Sequence, residues 1–151
     1  DEHRILVPDY SKPLVTHTQL DNNVIIFSLF PGMEEGLMHH LFDAPELRSI
    51  VMRSYGSGNA PQRPWLMKLL KQASERGVIV VNISQCISGQ VEMSRYDTGY
   101  QLKDAGVISG YDSTVEAAVT KLMYLQARYK DADKVRYYMN HSIAGEITIQ
   151  E

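Results

Sequence analysis

Four short apolar runs, the first three separated by stretches with helical spacing, constrain this chain more than any other feature. The runs are Val24-Ile25-Ile26-Phe27, Ser49-Ile50-Val51-Met52, Val78-Ile79-Val80-Val81 and a weaker Val107-Ile108. Their apolar residues, mostly β-branched, are continuous rather than alternating with polar ones, the pattern of strands buried on both faces in a parallel sheet. Parallel strands need long crossovers, and the intervening segments supply them. Met33, Leu37 and Leu41 recur at intervals of four. Leu66, Leu69, Leu70 and Ala73 mark one helical face, with Pro64 suited to its first turn and Gly77 to its C-terminal cap. Beyond the last run, Val115, Ala118, Val119, Leu122 and Leu125 form a further stripe, and Ser113 with Glu116 has the spacing of a capping box. Asp131 is placed to cap a last helix that buries Val135 and either Tyr138 or Met139. Strands alternating with helices imply right-handed βαβ units. The expected fold is α/β, a small doubly wound domain with about four parallel strands flanked by helices.

Residues 1–22 have no such rhythm. Pro8 and Pro13 break any helix, and polar residues interrupt the apolar ones. This stretch reads as an interdomain linker with a short extended piece around Val15, and residues 23–151 as the α/β domain. The chain opens on Asp1, Glu2, His3 and Arg4, which is neither a natural start nor a signal peptide, so it reads as a piece of something longer. A formal net charge of -3 gives no general attraction to nucleic acid or an anionic membrane, and no apolar run approaches the length of a membrane span. Cys86 is the single cysteine, so no intrachain disulfide can form, and a reducing compartment fits.

In parallel α/β sheets, ligands gather at loops beyond the carboxyl ends of strands. Two loops there are unusual: Tyr55 to Arg63, and Ser84 to Thr98. In Tyr55-Gly56-Ser57-Gly58-Asn59-Ala60-Pro61, two glycines permit positive φ and close backbone approach, and Asn59 offers both donors and an acceptor. The simpler reading is a flexible βα turn, with Asn59 exposed. The spacing is not that of a dinucleotide fingerprint, and a phosphate loop would need a Lys-Ser/Thr pair that is missing. In Ser84-Gln85-Cys86-Ile87-Ser88-Gly89-Gln90-Val91, Cys86 follows a strand as a nucleophile could, but no partner base is evident and a packed, inert thiol is the simpler reading. His39 and His40 are adjacent, so they lack two-ligand metal spacing and read as a solvated pair. Tyr137-Tyr138 and Met123-Tyr124 read as packing residues, and Asp131 and Asp133 as helix-start charges. Neither a Ser-His-Asp set nor a carboxylate pair emerges, and no metal or cofactor is implied.

Taken in order, several stretches resemble the C-terminal domain of the asparaginase family, cytosolic bacterial type. Phe30-Pro31-Gly32-Met33 is similar to its aromatic-Pro-Gly turn, and Arg53-Ser54-Tyr55-Gly56-Ser57-Gly58-Asn59-Ala60-Pro61-Gln62 to its Arg-Ser-Tyr-Gly-x-Gly-Asn-Ala-Pro stretch. Val80 to Gly89 resembles the cytosolic subgroup's strand and Cys-containing loop. Gly106 to Gly110, with Asp112 and Thr114 to Ala117, resembles the entry to the long helix, and Gly145-Glu146-Ile147-Thr148 the subgroup's end. The resemblance implies hydrolysis of L-asparagine to L-aspartate and ammonia by threonines, an aspartate and a lysine of an N-terminal domain whose Thr-Gly-Gly-Thr and Thr-Asp motifs this sequence lacks. It implies no catalytic residue here. It places Asn59 on the asparagine that approaches substrate across a subunit interface, to meet its α-amino or carboxylate end, in a homo-oligomer that also needs its own N-terminal domain as partner. The acidic residue that the periplasmic subgroup uses nearby is replaced, the nearest position holding Tyr96. Arg53, Ser84 and Cys86 fall at positions that some cytosolic members use for a second, activating asparagine, with Ser84 standing where a threonine is usual. Two rival readings remain: the equivalent domain of a transfer-RNA-dependent amidotransferase subunit, or a structural dimerisation module.

Overall fold

The four apolar runs become the four strands of one sheet. In the computed structural model, which describes residues 7, 9–93 and 97–148, β1 is Val24–Ser28, β2 Ser49–Ser54, β3 Ile79–Ser84 and β4 Ile108–Ser109. All pairings are parallel, in the order β1-β2-β3-β4. The helices are α1 Glu35–Phe42, α2 Pro64–Glu75, α3 Asp97–Asp104, α4 Val115–Arg128 and α5 Ala132–Met139. Because the strand order never reverses, crossovers of one hand stack on one face of the sheet. There Ile50, Met52 and Val80 meet Met38 and Phe42 of α1, Leu66, Leu69 and Leu70 of α2, and Leu102 of α3. The opposite face, Val51, Ile79, Val81 and Ile83, is closed by the two helices that follow the last strand, through Ala118, Leu122, Leu125, Val135 and Met139. The central strands are thus buried on both sides, as their continuous apolar runs imply.

Local chemistry explains most of the boundaries. Pro64 occupies the first turn of α2, where its missing N–H costs no helical bond. Gly77, at φ +86°, ends α2, its N–H donating to the Ser74 carbonyl while Val78 N–H reaches back to Ala73. Asp131 caps α5 by accepting from Asp133 N–H, and α5 buries Val135 and Met139, leaving Tyr138 to stack on Tyr129.

Three expectations need correction. α1 buries Met38 and Phe42, while Leu37 and Leu41 stay 61% and 39% exposed; both pairs have i, i+4 spacing, so the period alone does not choose the face. The N-cap of α4 is Thr114, which accepts from Ala117 N–H; Ser113 lies one residue outside and donates to the Thr114 carbonyl. The loop after β3 gives way to a helix, α3, whose only large buried apolar side chain is Leu102, too little to leave a stripe in the sequence.

The end of the expected linker is fastened to the domain. Asp21 N–H donates to the Met123 carbonyl, and its carboxylate meets Arg48 at 2.6 Å. Burial pushes the Asp21 carboxyl up, but hydrogen bonds from Asn23 N–H and from Arg48 outweigh it and hold the group below its ordinary value. Arg48 also donates to the carbonyls of Gln126 and Tyr129, stitching the start of β2 to the end of α4.

Candidate functional site

The carboxyl ends of β2 and β3 lie level, because Ser54 pairs with Ser84, and their loops are bound to each other. Ser84 Oγ donates to the Gly56 carbonyl at 2.6 Å. Gln85 N–H continues the ladder to Ser54 O, and its side-chain amide donates to the carbonyls of both Leu29 and Arg53 at 2.8 Å, tying in the end of β1. Asn82, fully buried in β3, donates its side-chain amide to the Gly58 carbonyl at 3.0 Å. The β2 loop is therefore a tight turn pressed onto the sheet edge. Gly58 is required there: it sits at φ +106°, and a Cβ would come within 2.7 Å of Val91 Cγ1.

Asn59 closes that turn. Its N–H donates to Tyr55 O at 2.8 Å and its carbonyl accepts from Tyr55 N–H at 2.9 Å. Its side-chain oxygen accepts from Thr98 Oγ1, in the first turn of α3, at 3.0 Å. The residue is half-buried and held at both ends, so the flexible, exposed turn expected from the glycines is corrected.

Of the effector trio, the structure joins two and separates one. Ser84 Oγ accepts from Cys86 N–H at 2.9 Å, which forms a turn that leaves Cys86 exposed; the packed thiol expected above is overturned. Arg53 follows Val51 on the α4–α5 side of the sheet, whereas strand alternation puts Ser84 on the α1–α3 side with Val80. The Arg53 Nε is buried and has no hydrogen-bond partner among the described residues. Tyr96 lies outside the described residues.

The remaining candidates behave as structure. His39 lies between Glu35 and Asp43 at 3.6 and 3.9 Å, and His40 is exposed. Tyr137 stacks on His141 and Tyr124 lies beneath Arg128. Among the described residues, no three of His, Cys, Asp and Glu gather in a way that could hold a metal ion, and no helix is long and apolar enough to cross a membrane. Two clefts, about 680 Å³ along β4 and about 520 Å³ beside Lys121, are lined by neither Asn59 nor the effector trio.

Sequence reasoning missed three polar residues that the fold makes important. Asn82 and Thr98 set the Asn59 turn. Lys121, on α4, is buried and donates to the His141 carbonyl at 2.6 Å, to the Met139 carbonyl and to Glu146. A lysine one turn before Leu125 on a buried stripe was the available signal.

Fold and site together define a three-layer parallel α/β domain with a rigid polar turn at its carboxyl edge, and comparison with known proteins places it. The chain matches the glutaminase/asparaginase C-terminal domain family over residues 23–139, and it belongs to that family. It is 39% identical over 135 residues to L-asparaginase 1 of Escherichia coli K12, covering 89% of this chain and 40% of that protein. It is 41% identical over 136 residues to the human 60 kDa lysophospholipase, covering 89% of this chain and 23% of that protein. Its fold is similar to the crystal structure of L-asparaginase I from Vibrio cholerae, with a TM-score of 0.81, 42% identity, and coverage of 85% and 38% of the two chains. One component of the glutamyl-tRNA(Gln) amidotransferase of Saccharolobus islandicus is 30% identical over 129 residues, covering 85% of this chain and 28% of that protein. The chain thus spans two fifths or less of the length of these relatives.

Proposed function

We propose that this chain serves as the C-terminal domain of a cytoplasmic, homo-oligomeric L-asparaginase, with residues 1–22 leading from an upstream catalytic domain and residues 23–151 completing the active site of a neighbouring subunit. The reaction is L-asparagine and water to L-aspartate and ammonia. The observation that carries the reading is Asn59: a donor-bearing side chain on a turn braced by Tyr55, Asn82 and Thr98, at the sheet edge where α/β ligands bind. The clefts described above lie elsewhere, which suits a surface that becomes a site only against another subunit. The nucleophile and oxyanion donors that acyl transfer requires belong to the upstream domain.

A second asparagine, acting as effector, is assigned on this reading to Arg53, Ser84 and Cys86. Supporting it are the unpaired Arg53 Nε and the exposed thiol on the Ser84 turn; it requires the Arg53 side chain to reach across the sheet edge. A role within a transfer-RNA-dependent amidotransferase is the competing reading, supported by the 30% identity to that enzyme's component.

The test is ammonia release. The 151-residue chain alone is expected to give none from L-asparagine. In the full-length enzyme Asn59→Ala is expected to cost about 1.5–3 kcal/mol of transition-state stabilisation, the value of a hydrogen bond to a charged group. Turnover by the chain alone that survives repurification would overturn the first expectation, and wild-type kinetics from Asn59→Ala the second.

A further inference from the structure

We propose that the free edge of β1 is an interface between two copies of this chain, closed by antiparallel pairing of β1 with β1 of the second copy about a two-fold axis at Ile26. This names a surface for the homo-oligomer proposed above. It is apart from the carboxyl edge that carries Asn59 and does not rest on the role given to that residue.

β1 is the outer strand on its side of the sheet. Asn23 O accepts from Ser49 N–H, and Leu29 N–H donates to Arg53 O, so the odd-numbered residues of this stretch turn their backbone polar groups toward β2. Such groups alternate in direction along a strand, and those of Val24, Ile26 and Ser28 face outward. Val24 N–H bends back to Asn22 O. Val24 C=O, Ser28 N–H and both groups of Ile26 have no hydrogen-bond partner among the described residues. Proteins guard open edges with charges, proline or a bulge. Val24–Ser28 has none of these, and no charged residue lies between Asn22 and Met33.

The strand is complementary to itself. A two-fold axis at Ile26 sets this residue against the partner's Ile26 as a hydrogen-bonded pair with two bonds, and each Ser28 N–H against the partner's Val24 C=O, giving two more. On one face Ile26, 47% exposed, covers the partner's Ile26. On the other, Ile25 falls opposite the partner's Phe27 as a close, non-hydrogen-bonded pair of the kind that stabilises sheets. Ile25 and Phe27 are only partly buried by their own domain.

Helix α1 extends the surface. Phe42 packs edge-on against Phe27 at 5.8 Å, so α1 lies over β1. Asp43 is held by Arg76 at the end of α2, so the flank of α1 that carries His39 and Asp43 faces α2. Leu37 and Leu41 each precede a buried residue, Met38 and Phe42, and therefore lie on the opposite flank, toward the free edge, where both stay exposed. Apolar side chains from both faces of the sheet thus meet at one uncharged strand edge. A charged partner finds nothing there to pair with, whereas a second copy supplies the donors, acceptors and apolar contacts that the edge lacks. Pairing joins the two four-stranded sheets into one.

The experiment uses the full-length protein with Cys86→Ser, and any upstream cysteine likewise replaced, as background. The two copies of position 26 stand about 5.5 Å apart at Cα in such a pair, within disulfide reach. The two copies of position 28 stand about 14 Å apart along the strands. Under mild oxidation Ile26→Cys is expected to run mostly as a disulfide-linked dimer and Ser28→Cys as a monomer. Ile26→Lys sets two ammonium groups on the axis, and in sedimentation velocity it should halve the assembly or raise its dissociation constant at least about tenfold, with unchanged circular dichroism. Should Ile26→Lys lose its fold, the cysteine pair alone decides. Equal cross-linking at both positions overturns the proposal, as does a folded Ile26→Lys whose assembly is unchanged. An Ile26→Cys thiol that forms no cross-link and reacts freely with maleimide shows an open edge and overturns it too. One that forms no cross-link yet stays closed to maleimide at every concentration shows the edge covered by the upstream domain of the same chain, which equally overturns it. None of these outcomes bears on Asn59→Ala, so this proposal and the reading of Asn59 fail separately.

Discussion

Lys121 and Glu146 form a buried ion pair whose two halves should differ in cost when removed. The Lys121 side chain is 3% exposed and Glu146 12%. Lys121 has three acceptors: Glu146 and the carbonyls of Met139 and His141. Glu146 has, besides Lys121, the N–H groups of Ile143 and Ala144. Glu146→Gln leaves a nearly fully buried ammonium with neutral acceptors alone. Breaking a buried pair from one side costs about 3–5 kcal/mol, and the surviving Gln carbonyl argues for the lower end, about 3 kcal/mol. Lys121→Met leaves a more exposed carboxylate that keeps its backbone donors, so about 1–2 kcal/mol is expected. Urea titrations followed by far-ultraviolet circular dichroism should show midpoints falling in that order with unchanged m-values. The Gln variant should melt about 6–12 °C early. The double variant, Lys121→Met with Glu146→Gln, should be no less stable than Glu146→Gln alone, because no unpaired charge remains. Equal costs below about 0.5 kcal/mol would refute the reasoning, since that is surface-pair behaviour. So would a larger loss from Lys121→Met than from Glu146→Gln.

Three further outcomes are expected. Burial raises the Glu146 carboxyl, but Lys121 and the neighbouring N–H groups outweigh it and the net pKa is lowered; its contribution is present above the unfolded carboxyl pKa of about 4.3 and is lost as pH falls through the lowered folded value, so acid titrations of wild type and Glu146→Gln should differ above the unfolded pKa and converge only once the folded carboxyl is protonated. Gly58→Ala should lose about 1–3 kcal/mol in urea titration, from the strained φ of +106° and the 2.7 Å approach to Val91, whereas Gly56→Ala, at φ +51° with nothing within 4 Å, should lose about 1–2 kcal/mol at most; a reversed order would show that the turn is not pressed onto the sheet. If the full-length enzyme saturates sigmoidally with asparagine, Arg53→Ala should make the curve hyperbolic or shift its midpoint strongly; an unchanged sigmoid would reject Arg53 as an effector ligand, and a hyperbolic wild type would remove the evidence for homotropic activation.

What the sequence reveals and hides follows from how far apart the deciding residues lie. Strands β2 and β3 were legible because burial on both faces leaves continuous apolar runs, β1 and β4 because their short runs are β-branched although neither is fully buried, and α2 because Leu66, Leu69, Leu70 and Ala73 all point one way. The face of α1 was not legible: Leu37 with Leu41 and Met38 with Phe42 satisfy the same period, and only the position of the sheet chooses between them. α3 has one strong core residue, Leu102, and no period to detect. The site divides in the same way. The turn that carries Asn59 announces itself through two glycines, but the partners that orient it, Asn82 and Thr98, become visible only when β3 and α3 pack beside it. Lys121 lies on the buried stripe of α4, but its partner Glu146, 25 positions later, is brought to it only by the fold.

The carboxyl edge of the sheet has a rigid half and an exposed half, and the division bears on how the two proposed sites would work. Around the β2 loop every strand end is braced by a side chain: Gln85 holds the carbonyls of Leu29 and Arg53, Ser84 that of Gly56, and Asn82 that of Gly58. These bonds replace the ladder where the strands stop, so Asn59 is in place before any ligand arrives. Preorganisation of this kind lowers the entropy that binding must overcome, which suits a residue meeting the reacting molecule. Beyond Gln85 the bracing stops. Cys86, Ile87, Ser88 and Gly89 are exposed, with Ile87 projecting fully into solvent. An effector changes activity only if it binds two states with different affinity, and a segment held by few bonds can differ between states where the Asn59 turn cannot. Ser84 joins the two halves, its hydroxyl donating to the Gly56 carbonyl on the rigid side and accepting from Cys86 N–H on the loose one. Any movement of the Cys86 turn would reach the Asn59 loop through the Ser84–Gly56 hydrogen bond and through Gln85, which is bonded to Ser54 and Arg53.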